Sequence, residues 1–136
     1  VYGIELTSRE IEAARAGDKD IPEKDLIRDP EAVGREEIER FITANQNIYI
    51  YGNGVMAKIV YSSFFFYENN SRLKGFVVSD HQMIPAESFK GYPIYRYSEV
   101  KARPDIAFLV ALNKCNTREV FPQLSKEKNV MFLWRC

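Results

Sequence analysis

The sequence is poor in the residues that build metal centres and disulfide frameworks. Its 136 residues include two cysteines and one histidine. Cys115 and Cys136 form no C-x-x-C pair and His81 stands alone, so no zinc site of the usual kind is expected and no metal ligand is predicted. Two isolated cysteines are typical of a reduced, cytoplasmic protein. We expect Cys115 to be buried as a small hydrophobe rather than to act as a nucleophile.

The chain also lacks an excess of charge and a long apolar run. Its 19 basic and 19 acidic residues give a formal net charge of zero, so neither nucleic acid nor an anionic membrane is expected as the main partner. No apolar run approaches the roughly 20 residues of a membrane-spanning helix, and no signal peptide is recognised. The chain starts at Val1 rather than Met, from which we expect a piece of a longer protein.

The most informative stretch is a compact β-branched and aromatic run followed by a glycine turn. Ile48–Tyr51 predicts a short buried strand. Gly52-Asn53-Gly54-x-x-Ala57 then matches the first part of the dinucleotide-binding fingerprint. In that pattern the first glycine permits a sharp turn, the second lets a pyrophosphate approach the backbone, and the small third residue lets the helix pack closely on the sheet. The free N–H groups of Val55 and Met56 would face an anion. The alternative is a tight strand–helix turn that binds nothing.

A second strand predicted at Leu73–Val78 ends in Ser79-Asp80-His81. In a βαβ unit Asp80 would lie beside the glycine turn, where an acid can accept hydrogen bonds from ribose hydroxyls. The alternative is that Asp80 caps the loop that follows it. His81 could contact a base or a phosphate, although a lone loop histidine is more often a surface residue.

The remaining segments complete an alternation of strand and helix. The apolar run Ile106–Leu112 predicts a central parallel strand buried on both faces, after which Asn113 emerges at the same sheet edge as Gly52 and Asp80. Further strands are predicted at Pro93–Tyr95, as an edge strand, and at Val130–Leu133. Helices are predicted over residues 8–16, 35–43, 55–67 and from Asn116 or Thr117 to about Lys126.

This alternation predicts an α/β fold, a Rossmann-like open parallel sheet flanked by helices. We divide the chain into a helical N-terminal extension or linker, residues 1–44, and a Rossmann-like nucleotide-binding domain, residues 45–136. The residues predicted to bind the nucleotide are Gly52, Asn53, Gly54, Val55, Met56, Ser79, Asp80, His81 and Asn113.

Residues 47–133 resemble the N-terminal domain of bacterial sugar O-acyltransferases and UDP-amino-sugar N-acetyltransferases, and related domains of polysaccharide glycosyltransferases and methyltransferases. The matching blocks are Ile48–Gly54, Lys74–Asp80, Gly91–Tyr95 and Ala111–Asn113 with Asn116-x-Arg118. The resemblance implies a nucleotide-sugar ligand of the UDP type, held by Gly52, Asn53, Gly54 and Asp80. The chain lacks the hexapeptide repeats that carry the acyltransferase site, and Ser79-Asp80 replaces the usual doubled acid. The resemblance therefore implies nucleotide-sugar binding for this chain but not acyltransferase activity.

Three functions follow as hypotheses. The first is a cytoplasmic nucleotide-binding module of a larger bacterial sugar transferase of polysaccharide biosynthesis, linked to or contacting a catalytic domain. The second is an NAD-binding fragment of an oxidoreductase, with NAD favoured over NADP because the carboxylate of Asp80 would repel a 2′-phosphate. The third is a structural or interaction domain with a vestigial glycine turn, in which Tyr92, Tyr95 and Tyr97 could form a partner surface. No catalytic constellation is visible, so no catalytic residue is predicted, and the oligomeric state stays open.

Overall fold

A computed structural model of the protein describes residues 32–82 and 88–134. The helix predicted over residues 8–16 lies outside these ranges. The described elements are, in chain order, α1 (Arg35–Thr43), β1 (Ile48–Tyr51), α2 (Val55–Phe64), β2 (Leu73–Val78), β3 (Ser88–Phe89), β4 (Tyr92–Arg96), α3 (Tyr97–Val100), β5 (Ala107–Val110), α4 (Lys114–Leu124) and β6 (Val130–Phe132).

The strands form one six-stranded sheet in the order β3-β4-β2-β1-β5-β6. All neighbouring pairs are parallel except β3 and β4, which are antiparallel. The fold is therefore α/β, with a mixed, mostly parallel sheet flanked by helices. The sequence predicted an open parallel sheet with an edge strand at Pro93–Tyr95. That strand is present as β4 and is parallel to β2, but it is not the edge strand, because β3 pairs outside it. Lys90 and Gly91, with φ of 55° and 83°, form the two-residue turn of this hairpin.

Side-chain alternation along β1 divides the core into two layers. Ile48 and Ile50 belong to the cluster on the face covered by α1 and α2, whereas Tyr49 and Tyr51 belong to the cluster on the opposite face. All four residues are buried because helices or loops cover both faces of the central strand. Burial on both faces explains why the sequence of β1 is a continuous apolar and aromatic run rather than an alternation of apolar and polar residues.

Helix α1 packs against the sheet. Ile38 and Ile42 are fully buried in the cluster that contains Ile48 and Ile50. The N–H of Val33 also donates to the carbonyl oxygen of Leu133 at 2.7 Å. The described part of the predicted N-terminal extension therefore packs on the domain that follows it.

The second face of the sheet is rich in tyrosine. The Arg103 guanidinium lies 4.6 Å from the ring centre of Tyr95 and donates to the hydroxyl of Tyr49 at 2.9 Å. Tyr95 and the buried Tyr97 pack on this face, whereas Tyr92 packs against the cluster on the other. Tyr92, Tyr95 and Tyr97 therefore do not lie on one surface, as the third hypothesis expected.

Candidate functional site

A cavity of about 350 Å³ lies at the carboxyl ends of the central strands β1 and β5. The strand order reverses here, since the chain runs outward from β1 through β2 and β4 and then returns to β5 on the other side. In open parallel sheets this is the place where ligands bind. The cavity is lined by Asn53, Gly54, Val55, Met56, Gln82, Ala111, Leu112, Asn113 and Asn116.

Gly52 makes the turn that brings the two walls of the cavity together. Its φ of +125° lies in a region that side chains rarely adopt. A Cβ at this position would lie 2.6 Å from the carbonyl oxygen of Ala111 and 2.9 Å from Cδ2 of Leu112. A glycine is therefore required for both the backbone conformation and the close approach of the β1–α2 turn to the β5–α4 turn.

Gly54 leaves the start of α2 open. It is the N-cap residue, with an extended conformation and no side-chain hydrogen bond to the helix, and no atom lies within 4 Å of the place a Cβ would occupy. The N–H of Lys58 donates to the Gly54 carbonyl at 3.1 Å. The preceding N–H groups of the first turn have no carbonyl partner in the helix, and the helix dipole adds partial positive charge at this end. An anion would fit at this position.

The start of α2 differs from every other helix start in the described residues. Helix α1 also follows a glycine that provides no side-chain cap, but this glycine is buried and the first turn carries Glu36 and Glu37. The main-chain N–H of Arg96 at the start of α3 donates to the carboxylate of Glu99 at 2.8 Å. Helix α4 is capped by Asn113. Helix α2 has neither a side-chain cap nor an acidic residue in its first turn. Because its N-cap glycine is also exposed, the N–H groups of this first turn are accessible to a ligand.

The opposite wall of the cavity is fixed by hydrogen bonds of the chain itself. The side-chain oxygen of Asn113 accepts from the N–H of Asn116 at 2.8 Å. This cap starts α4 at Lys114, two or three residues earlier than the sequence predicted. The indole N–H of Trp134 donates to the carbonyl oxygen of Leu112 at 2.5 Å, and the ammonium of Lys114 lies 5.1 Å from the centre of the Trp134 ring.

Asp80 is held away from the cavity lining. Its Oδ1 accepts from the N–H of Ser98 at 2.9 Å, so the carboxylate caps the start of α3. This hydrogen bond is the main reason that the pKa of Asp80 lies below its ordinary value. Neither Asp80 nor its neighbours Ser79 and His81 line the cavity. Of the predicted residues, the cavity brings together Asn53, Gly54, Val55, Met56 and Asn113, while Gly52 shapes the turn beside it.

Four lining residues were not among the predicted ones, the apolar Ala111 and Leu112 and the polar Gln82 and Asn116. Gln82 lies two positions beyond Asp80, and its Nε2 donates to Oδ1 of Asn53 at 3.1 Å. Asn116 follows Asn113 by one helical turn, so both side chains reach the same edge. The only sequence signal for Gln82 and Asn116 is a polar residue just beyond a strand end or at a helix start. Polar residues are common in all loops, so this signal does not single them out.

Tyr51 ends the central strand with a buried phenol on the second face. The residue is 2% exposed, and its hydroxyl has no hydrogen-bond partner among the described residues. Burial, with a smaller contribution from the charge of Asp80, raises the pKa of Tyr51 to about 12. The neighbouring Tyr97, whose ring packs edge-on against Tyr51, donates to the carboxylate of Glu127. The Tyr51 phenol is therefore protonated at neutral pH.

The lining contains four side-chain amides and no acidic or basic side chain. Within residues 32–82 and 88–134 no group of three His, Cys, Asp or Glu side chains could hold a metal ion. Cys115 is exposed rather than buried, because α4 turns Thr117 and Leu124 toward the protein interior. The site therefore presents neutral hydrogen-bonding groups and main-chain N–H groups.

No helix in the described part of the chain has the length and apolarity to cross a membrane.

Comparison with protein-family models gives no match, and neither the curated proteins nor the solved structures contain a match to this chain.

Proposed function

We propose that this protein is a Rossmann-like domain that binds a nucleotide or nucleotide-sugar, with the phosphates at the start of α2. The observation that carries the proposal is the uncapped N-terminus of α2, which opens through Gly54 onto the cavity. A phosphate group would accept hydrogen bonds from the N–H groups of the first turn and would complement the helix dipole.

The strand order supports the same proposal. The five parallel strands lie in the order β4-β2-β1-β5-β6, which corresponds to the order 3-2-1-4-5 in the nucleotide-binding, doubly wound folds. The cavity lies at the reversal between β1 and β5, and its size falls within the range of small-molecule sites. Analogy at the level of the fold supports binding rather than a particular reaction.

The ligand favoured by the sequence resemblance is a nucleotide-sugar of the UDP type, bound by a module of a bacterial carbohydrate-modifying protein. NAD is the second candidate, because a dinucleotide pyrophosphate would use the same helix start. The sequence-based reason to prefer NAD over NADP is the carboxylate of Asp80. That reason is weakened, since this carboxylate caps α3 and lies outside the cavity lining.

Thermal unfolding with a panel of ligands tests the proposal. The panel is UDP, UDP-N-acetylglucosamine, CDP, GDP, NAD and NADP. A ligand that binds only the folded state raises its stability by about 2.7 kcal/mol at one hundred times its Kd. We expect an increase in Tm with a uridine nucleotide, whereas an increase with NAD alone would favour the oxidoreductase fragment.

Gly54→Val provides the matched variant, because an extended backbone and open space allow the side chain without disturbing the fold. The valine would occupy the space through which a phosphate approaches α2. We expect the ligand-free Tm to fall slightly, because valine is a poorer N-cap residue than glycine, and the ligand-dependent increase to be lost. If no ligand of the panel raises the Tm of the unsubstituted protein at millimolar concentration, the proposed function is wrong.

A further inference from the structure

The carboxyl end of β2 is fixed by one arginine. A single guanidinium nitrogen, Nη1 of Arg96, donates to the carbonyl oxygens of Asp80 at 2.9 Å and of Gln82 at 2.7 Å. The N–H of Ser98 binds the Asp80 carboxylate at the same time. These three hydrogen bonds set the direction of residues 80–82 as the chain leaves the sheet.

As a result Gln82, rather than Asp80, lines the cavity. Its Nε2 donates to Oδ1 of Asn53 at 3.1 Å, which joins the end of β2 to the glycine turn. A primary amide has two N–H donors and two acceptor positions on its oxygen, so this bond leaves both residues with further donors and acceptors. A carboxylate offers acceptors only, whereas the amide pair offers both kinds of group to a ligand.

We propose that Gln82 binds the ribose hydroxyls of a nucleoside diphosphate whose phosphates lie at the start of α2. Hydroxyl groups donate and accept, as the amide does. Arg96 is a positioning residue, because it acts through the main chain of Gln82, and Asp80 makes no contact with the ligand. This inference rests on the proposed function and assigns its ribose contact to a different residue from the one that the sequence indicated.

The experiment compares the affinities of UDP and 2′,3′-dideoxy-UDP by titration calorimetry. Removing the two neutral ribose hydroxyls costs one or two hydrogen bonds, so we expect the unsubstituted protein to bind UDP about 3- to 10-fold more tightly than the dideoxy analogue. In Gln82→Ala the ratio of the two affinities should fall to near one. In Asp80→Asn it should stay at the value of the unsubstituted protein.

Matched controls separate recognition from general damage to the fold. Gln123→Ala and Arg40→Gln change the same residue types at exposed positions outside the cavity, and both should keep the ratio. Arg96→Gln should lower the ratio. It should also shift the side-chain amide resonances of Gln82 and Asn53 in the absence of ligand, as a positioning role requires.

Each contrary result has a distinct meaning. A ratio lost in Asp80→Asn and kept in Gln82→Ala would overturn the inference and leave the proposed function standing. Unchanged amide resonances in Arg96→Gln would overturn the positioning role without reference to any ligand. No detectable binding of UDP by the unsubstituted protein would overturn the proposed function for uridine nucleotides, and this inference with it.

Discussion

Two helices begin at the cavity, and they differ in whether a side chain caps their first N–H groups. Helix α4 follows Asn113, whose side-chain oxygen accepts from the N–H of Asn116 at 2.8 Å. Helix α2 follows Gly54, which has no side chain to offer. Both helices leave the carboxyl ends of neighbouring central strands, so their positions in the fold are equivalent.

Under the proposed function, one of these helix starts contributes to stability and the other is used for binding. A capped helix start satisfies its own donors and contributes to folding, whereas an open start forgoes that stabilisation and keeps its donors for a ligand. If α2 had no ligand, a polar residue at position 54 would improve the helix at no cost. Substitutions at the helix starts and at the glycine turn test this contrast. The largest effect is expected from the change that disrupts the close approach of the two turns.

Gly52→Ala should have the largest effect, because it separates the two helix starts. The new Cβ would meet the carbonyl oxygen of Ala111 at 2.6 Å, in a backbone conformation with φ of +125°. Strain and overpacking together should lower the free energy of unfolding by about 2–5 kcal/mol. Urea denaturation measures the change. Gly54→Ala is the control, since its Cβ meets no atom within 4 Å, and an equal loss in both variants would contradict the account.

Gly54→Asp should move stability and binding in opposite directions. The carboxylate would cap α2 as Asn113 caps α4, and it would add favourable charge at the helix start. We expect the free energy of unfolding to rise by up to about 1 kcal/mol. The affinity for UDP should fall by at least about tenfold, because the carboxylate would occupy and repel the phosphate position.

Gly54→Asn is the neutral control for this prediction, since it adds a cap without a charge. It should weaken binding less than the aspartate does. Denaturation and calorimetry on the same preparations test both effects, and unchanged UDP affinity in Gly54→Asp would rule out phosphate binding at this helix start.

Asn113→Ala should leave α4, like α2, without a side-chain cap at its N-terminus. Loss of the cap to the N–H of Asn116 is expected to lower the free energy of unfolding by about 1 kcal/mol. Asn113→Asp keeps an oxygen acceptor at the same place and should retain most of the stability. Chemical denaturation of the two variants checks this, and equal stability of Asn113→Ala and the unsubstituted protein would show that the cap contributes nothing.

Asp80 caps the third helix start, α3, and should give the smallest effect. Its hydrogen bond from the N–H of Ser98 lowers the pKa of the carboxyl below the ordinary value of 3.8. A lowered pKa means stabilisation that is complete above the ordinary value and lost as pH falls through the lower value. Asp80→Asn should therefore have a slightly lower Tm than the unsubstituted protein at neutral pH, and the difference should shrink as the pH falls below 3.8 and the carboxyl becomes protonated. A difference in Tm that does not change with pH would contradict this assignment.

The central part of the sheet was predictable from local sequence. The strands at Ile48–Tyr51 and Leu73–Val78 were predicted with the bounds that the structure gives, because compact apolar runs ended at glycine or polar residues. The hairpin of β3 and β4 was not predicted. Its outer strand has only two residues, which is too short to produce an alternating pattern.

The candidate site was predicted at its glycine turn and less completely elsewhere. Gly52 and Gly54 were identified by their spacing after a predicted strand, although only Gly52 has a positive φ. The direction of Asp80 depends on Arg96 and Ser98, which lie 16 and 18 residues further along the chain. Such contacts between distant residues leave no periodic signal, so the sequence indicated an acid at the cavity where the structure places Gln82.

The most direct test of the central claim is an NMR titration of the main-chain amides with UDP. If phosphates bind at the open helix start, the amide resonances of Val55, Met56 and Ala57 should shift in a saturable manner, and Gly54→Asp should abolish these shifts. The amides at the capped start of α4, such as Thr117, should shift less. Saturating UDP that leaves the three α2 amides unchanged, or that moves only residues elsewhere, would contradict the account.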